Sequence, residues 1–357
     1  MRPLLVTSMA LLLAACMGTA GPQAAAPMNT ADLDMALDSN TRTLQEADIE
    51  AALNAAYIKY KSLREGANAD YIPALAKVDS NIYGIALVTP DGKIYTAGDI
   101  NSEVSIQSIS KVFTMALVME EMGPEALLNN VGVDATGQAF NSIVAIEQYK
   151  GAEMNPLVNP GAITATSMVS GGSRAEIWNR ILSYYNAFAG RELSVNQDVF
   201  ESEAATNQRN QAIAKLMYAY GHIKDNPDQA TDIYTEQCSI NVNARDLAIM
   251  AATLANGGLN PVTGIQVMRS ENVPEVLAVM ATAGLYDDAG KWLYLTGLPA
   301  KSGVGGGIIA VSPGRFGIAV ISPPLDQAGN SVRAQKAIAD ISNALGGNPY
   351  SVLPARQ

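Results

Sequence analysis

Two short β-hairpin patterns, far apart in the chain, do most to limit the folds open to it. The first reads "NIYGIALV", "TPDG", "KIYTAG" over residues 81–98, with Pro90, Asp91 and Gly92 supplying the turn. The second, "GGIIAVSPGRFGIAVISPP" over residues 306–324, sets two apolar runs of strand length around "SPGR". A helical pattern follows each: "SIQSISKVFTMALVMEEMG" from residue 105, and "NSVRAQKAIADISNALGG" from residue 330. Between them, from about residue 120 to 290, the periodicity is helical, as in "RAEIWNRILSYYNAFAG", "RNQAIAKLMYAYG" and "ARDLAIMAATLANGG", the last closed by glycines suited to a C-cap. A sheet shared by both ends with helices threaded between them predicts an α+β fold. It is one mostly antiparallel sheet flanked by helices, with a helical subdomain inserted at about 120–290.

Composition narrows function by exclusion. The 357 residues are 48% apolar and 16% charged, which is ordinary for a globular chain with a large core. A net charge of -11 and the lack of any basic stripe argue against nucleic acid, whose binding rests on clustered Lys and Arg. His222 is the only histidine, so zinc held by two or three histidines, or a serine activated by histidine, would have to be built from it alone. It ends "NQAIAKLMYAYGH", where a helix C-terminus gives it a plain role. No serine lies in "GxSxG", and no "CxxC" exists to hold a metal or a redox pair. No metal or cofactor is expected.

The first sixteen residues, "MRPLLVTSMALLLAAC", have a basic start, an apolar run too short to span a bilayer, and a small-residue end. The "LAAC" ending resembles a bacterial lipobox. It predicts a signal peptide over 1–15, a lipid anchor on Cys16, a tether over 16–44 and a catalytic region over 45–357, exported and facing the periplasm or cell exterior. Cleavage after "AAA" at 24–26 is the rival reading. With Cys16 lipidated or removed, Cys238 has no disulfide partner and is expected to be packed in the core.

Chemistry enters with "SISK", where Ser108 and Lys111 lie three residues apart at the start of an apolar helix. Positions i and i+3 share a helix face, so the amine can reach the hydroxyl. Lysine normally favours the last turn of a helix, not the first. Burial near the positive helix end pushes an amine towards neutrality, and a neutral amine can serve as the base that a chain so poor in histidine lacks. A second element, "KSG" at 301–303 within "GLPAKSGVGGG", has the lysine-hydroxyl-glycine form that serine-lysine acyl-enzymes carry beside the nucleophile. Glycines 303 and 305–307 would let a backbone approach substrate and aim an N–H at an oxyanion.

Several further blocks run in order with these. They are "ADYIPALAKV" at 69–78, "QSISKVF" at 107–113, "MNPLVNPGAI" at 154–163, "SEAATNQRN" at 202–210, "YTEQCS" at 234–239, "GLYDDAG" at 284–290, "GLPAKSGVGGGI" at 297–308 and "SPPLDQAGNSV" at 322–332. Together they resemble the serine-dependent glutaminase family, whose fold is similar to that of β-lactamases and penicillin-binding proteins. The resemblance implies hydrolysis of L-glutamine to L-glutamate and ammonia through a glutamyl-serine intermediate. It makes Ser108 the nucleophile, Lys111 its base and Tyr71 or Tyr286 a proton relay. It places Ser108, Asn159, Glu203, Asn210, Tyr234, Tyr286 and Val304 around the substrate, and it implies a homo-oligomer. Each residue alone has a structural reading: the asparagines as caps, Glu203 as a first-turn carboxylate, the tyrosines as core. Two departures stand out, Pro160 where the family has alanine, and the export signal. The alternatives are a penicillin-binding protein or β-lactamase, for which "YYN" at 184–186 imitates a further motif, and a non-catalytic glutamine-binding lipoprotein.

Overall fold

The computed structural model describes residues 44–352. The signal peptide and Cys16 expected from the sequence lie outside them, as does all of the tether but its last residue.

Both hairpins form, and they join one sheet. Strands β1 (Gly84–Val88) and β2 (Ile94–Gly98) come from the first, and β6 (Gly307–Ser312) and β7 (Phe316–Ile321) from the second. With β5 (Ala300–Gly303) they make a five-stranded sheet in the order β2-β1-β7-β6-β5, antiparallel throughout. The strands joining the two ends of the chain are β1 and β7, paired from Gly84 with Ile321 to Val88 with Gly317. Their apolar runs are continuous rather than alternating because both faces are covered. Ile85, Leu87, Ile308, Ile318 and Val320 face one core, while Ala86, Val88, Ile309, Ala319 and Ile321 face another.

The first core lies under the terminal helices α1 (Glu46–Tyr60) and α14 (Val332–Ala344), which bury Ile49, Leu53 and Ala56 against Ala334, Ile338 and Ile341. The other α-helices among the described residues lie between the hairpins, except α2 just before the first: α2 (Pro73–Ala76), α3 (Ser110–Met122), α4 (Pro124–Asn130), α5 (Ile143–Tyr149), α6 (Asn159–Met168), α7 (Arg174–Ala189), α8 (Gln197–Thr206), α9 (Gln208–Ala219), α10 (Pro227–Cys238), α11 (Ala244–Ala255), α12 (Val273–Ala283) and α13 (Ala289–Thr296). The other core is wrapped by α3, α4, α6, α7, α10, α11 and α12, while Trp292 of α13 joins the first, α5 and α9 pack with α6 and α10 in a separate cluster, and α2 and α8 pack beside Tyr286 and Val304. One strand pair interrupts them: β3 (Val104–Ser105) with β4 (Asn241–Val242). Two residues a side are too few to leave a periodic signal, so no pattern marks the pair beforehand.

Helix α11 is the keystone of this second layer. Its start is fixed by a capping box between Asn243 and Asp246, and its end by Gly257 and Gly258 at positive φ, as the glycine pair predicts. Every residue but Arg245 is buried. Its backbone presses directly on the sheet at Gly317, where a Cβ would come within 2.0 Å of Ala252 N. Gly317→Ala is therefore expected to destabilise the protein by about 2 kcal/mol or more, because neither backbone can give way. A thermal melt checks it, and an unchanged melting temperature would show that α11 can lift off β7.

Candidate active site

The expected helix at residues 105–123 forms in two pieces. A 3-10 turn spans Gln107–Ile109 and α3 continues from Ser110. Ser108 therefore lies in the tighter turn, where positions i and i+3 eclipse, and Lys111 follows in the first turn of α3 on the same side. The neighbours Ile106, Ile109, Val112 and Phe113 are all buried, so the turn is clamped by apolar packing. Gln107 sits at φ +49°, a left-handed conformation costing a non-glycine residue about 1–3 kcal/mol.

The glycines in and after "KSG" meet a packing need of their own. "KSG" is itself strand β5, at the sheet edge, and that strand packs onto the Ser108 turn. A Cβ on Gly303 would meet Ile106 O at 2.7 Å, and one on Gly305 would meet Ser105 O at 2.2 Å. The glycines thus admit the chain's own nucleophile turn, and Val304, 7% exposed, sits between these two contacts.

Lys111 is 1% exposed and, among the described residues, has no carboxylate in a salt bridge with it. Its Nζ donates to Asn159 Oδ1 at 2.7 Å and to Leu157 O at 3.4 Å, and lies 5.8 Å from the centre of the Tyr234 ring. Burial pushes the amine down to about 8, against weak opposing pulls from Cys238 and Glu203. This is the depressed amine that the sequence argument required.

Asn159 is the hub of the polar cluster. It opens α6, yet its side chain caps nothing, since Val158 is the N-cap. Instead Oδ1 accepts from Lys111 and, at 3.2 Å, from the Tyr234 hydroxyl, while Nδ2 donates to Asn210 Oδ1 at 2.9 Å. Pro160 occupies the first turn of α6, where its missing N–H costs no helical bond, so this departure leaves Asn159 in place. Glu203 is no first-turn decoration: it lies in the second half of α8, 7% exposed, and accepts from Gln107 Nε2 at 3.2 Å. Burial raises its carboxyl to about 7, with Gln107 and Lys111 opposing. Burial likewise raises the Tyr234 phenol well above its ordinary value.

The far wall is Tyr286. It follows the end of α12 at φ +52° and packs at a 42° tilt against Phe140, with ring centres 4.9 Å apart. Its hydroxyl donates to Ser302 O at 3.5 Å and lies close enough to Ser108 to feel its hydroxyl. Those contacts temper the upward push of burial, which leaves the phenol at about 12. The buried Lys301 amine lies 4.2 Å from the centre of this ring and donates to Gly284 O at 2.9 Å and Ser302 O at 2.7 Å. Tyr71 stands at the rim, 55% exposed, with its hydroxyl in electrostatic range of Tyr286 and Glu203. Two clefts flank this wall. One of about 170 Å³ is lined by Phe140, Asn155 and Tyr286, and the other of about 660 Å³ by Tyr71, Phe140, Val304 and Gly329.

Lys111, Asn159, Asn210 and Tyr234 thus share one hydrogen-bonded cluster, Glu203 is bonded to Gln107 next to Ser108, and Tyr286, Val304 and Tyr71 border the same region. Gln107, bonded to Glu203 beside Ser108, carries no signal in residue type or spacing; its backbone angle is what marks it. Other candidates are used elsewhere. His222 faces Asn130 O at 3.0 Å and Lys150 O at 3.1 Å, outside the cluster. In "YYN", the Tyr185 hydroxyl donates to Ser110 O at 2.6 Å and Asn186 Oδ1 accepts from Leu193 N–H, so both serve the packing of α7. Cys238 is buried, with Sγ 3.8 Å from Ser110 Oγ, and burial lifts its thiol to about 12. Among the described residues no group of three His, Cys, Asp or Glu could hold a metal ion.

Comparison with known proteins agrees with this geometry. Residues 66–350 match the family model described as Glutaminase. A glutaminase of Colwellia psychrerythraea is 54% identical over 306 residues, covering 86% of this chain and 98% of that one. One of Mycobacterium marinum is 50% identical over 303 residues, covering 85% and 95%. Among solved structures, a probable glutaminase, ybaS, superposes with a TM-score of 0.85 at 46% identity, over 86% of this chain and 99% of that one. A Bacillus glutaminase gives 0.76 at 30% identity, over 84% and 100%. Fold, sequence and extent concur: the chain belongs to the glutaminase family.

Proposed function

We propose that this chain hydrolyses L-glutamine through a glutamyl ester on Ser108. The observation that carries the reading is a buried Lys111, its amine pushed down to about 8, bonded to Asn159 and one tight turn from a serine beside Tyr286. Neutral Lys111 takes the Ser108 proton as Oγ attacks the side-chain amide carbon. The backbone N–H groups of Ser108 and Val304 receive the oxyanion. As the carbon–nitrogen bond breaks, the protonated amine, directly or through Tyr286 or Tyr71, returns the proton to departing ammonia. Water then attacks the ester with Lys111 again as base, releasing glutamate. Glu203 suits the substrate's α-ammonium, and the Asn159, Asn210 and Tyr234 donors suit its α-carboxylate. A structure of Mglu, at 38% identity and a TM-score of 0.79, is described in its glutamate form, which supports a glutamate-shaped site here.

The pH profile follows from two groups. Lys111 must be neutral and Glu203 ionised, so kcat/KM for glutamine is expected to rise with pH through about 7 and again through about 8. In Glu203→Gln the step at about 7 disappears. Steady-state rates of ammonia release by the purified chain across this range test both. A flat profile would remove Lys111 as the base.

The packing role of "YYN" leaves the penicillin-binding alternative without its further motif, and no acylation by a labelled penicillin is expected. The export reading rests on "LAAC" alone. Its test is the mass of the mature N-terminus, which carries acyl chains on Cys16 if the reading is right. The homo-oligomer rests on family resemblance, and light scattering checks it.

A further inference from the structure

One residue in the cluster has no part in the scheme above. Gln107 is 3% exposed, adjoins Ser108, and holds a backbone conformation that glutamine rarely adopts. Such a conformation persists only where surrounding contacts over-determine it. Here those contacts are visible. The preceding Ile106 N–H donates to Ile240 O at 2.8 Å, and the edge of β5 packs on the turn at Gly303. The side-chain amide reaches away from the turn, giving Nε2 to Ser105 Oγ at 3.2 Å and to Glu203 Oε2 at 3.2 Å. The residue before the nucleophile is therefore hydrogen-bonded to the carboxylate that suits the substrate's ammonium group, across 96 positions of sequence.

We propose that Gln107 is a positioning residue that couples occupancy of Glu203 by an α-ammonium group to the geometry of Ser108, restricting fast turnover to amides bearing that group. The inference rests on the proposed roles of Glu203 and Ser108. The chemistry is directional. With no ligand, burial holds the Glu203 carboxyl at about 7, so near and below that pH, where the comparison is made, its neutral form is well populated. An arriving ammonium favours the carboxylate, and a carboxylate accepts more strongly from the Gln107 N–H than a carboxylic acid does. The strengthened bond pulls on the residue whose φ sets the direction of Ser108. An amide without the ammonium leaves that bond weak, so it loses acylation rate as well as affinity.

The test compares L-glutamine with its des-amino analogue, 4-carbamoylbutanoate, on the full-length chain and on two variants. Gln107→Gly accepts the left-handed backbone and removes the amide. Gln107→Asn also tolerates that backbone but is one methylene short of Glu203, so a folded variant is available even if the glycine substitution loosens the turn. In the wild type, kcat for glutamine should exceed that for the analogue by about tenfold or more. In both variants kcat for glutamine should fall towards that for the analogue, closing most of the gap, with kcat for the analogue little changed. Equal losses on both substrates would mean that Gln107 only maintains the turn, and a rise in KM with kcat unchanged would mean that it only binds. Either result overturns the coupling while leaving the glutaminase reading intact. Absence of ammonia from glutamine in the wild type would remove both.

Discussion

Replacing Ser108 by alanine is expected to lower kcat for glutamine by at least about 10³-fold, with KM changed only a few-fold. In the proposed route the hydroxyl forms and breaks bonds, whereas recognition of the amino acid's charged end is assigned to Glu203, Asn159, Asn210 and Tyr234, none of which needs Oγ for its position. Stability should move little. Ser108 is small, and the turn is held by Ile106, Ile109 and the edge of β5 rather than by the hydroxyl. Steady-state kinetics beside a thermal melt check this. A variant that melts like the wild type and still turns over at a comparable rate would place the nucleophile elsewhere.

Lys111→Met is expected to have an equally large effect on rate and an opposite one on stability. Without the amine the remaining groups replace it poorly: Tyr286 is held at about 12, Asn159 has no acid-base function, and the other depressed amine, Lys301, is turned to Gly284 O and Ser302 O. A loss of about 10³-fold or more in kcat follows. For stability, the amine ionises at about 8 in the fold against 10.5 ordinarily. Below about pH 8 the folded protein holds a proton it binds less well than the unfolded chain does. That cost, on the order of 3 kcal/mol, is present at neutral pH. Between about 8 and 10.5 the unfolded chain binds the extra proton, so wild-type stability rises with pH over that window. Methionine has similar length and no charge, so Lys111→Met should melt higher than the wild type near pH 7, offset in part by the lost bond to Asn159. The advantage should shrink by about pH 10. Melting curves at the two pH values decide it, and a variant less stable at both would show that Lys111 is a net structural contributor.

The fold was legible in the sequence where the pattern repeats within an element. Apolar runs with turn chemistry at residues 81–98 and 306–324 are local signals, and both hairpins form where they predict. The pairing of β1 with β7 was legible only because the two hairpins had nowhere else to bury two apolar faces. The strand pair β3–β4 was not, being too short for a period and joining segments more than a hundred residues apart. Likewise "KSG" read as a motif ahead of a strand, although it is the edge strand itself.

At the site, residue types carried the argument a long way. A serine and a lysine three apart in a chain with one histidine led to a depressed amine, and Lys111 has one. Asn159 and Glu203 had plausible structural readings, as a cap and as first-turn charge. Those fail because side-chain direction depends on tertiary contacts: Asn159 turns to Lys111 and Glu203 to Gln107. Gln107 itself was invisible because a backbone angle leaves no trace in residue identity when the residue is not glycine. The glycines at 303 and 305 were rightly read as marking a close approach. What approaches is the Ser105–Ile106 backbone, a contact that no local pattern specifies.

The most direct test of the glutamyl-serine route is to offer the enzyme hydroxylamine beside water during glutamine turnover. If Ser108 is acylated, the common intermediate partitions: glutamyl hydroxamate appears in proportion to hydroxylamine, glutamate falls by the same amount, ammonia release does not slow, and Ser108→Ala makes neither product. Glutamate formed at an undiminished rate with no hydroxamate would mean that water attacks the amide directly, and would contradict the account.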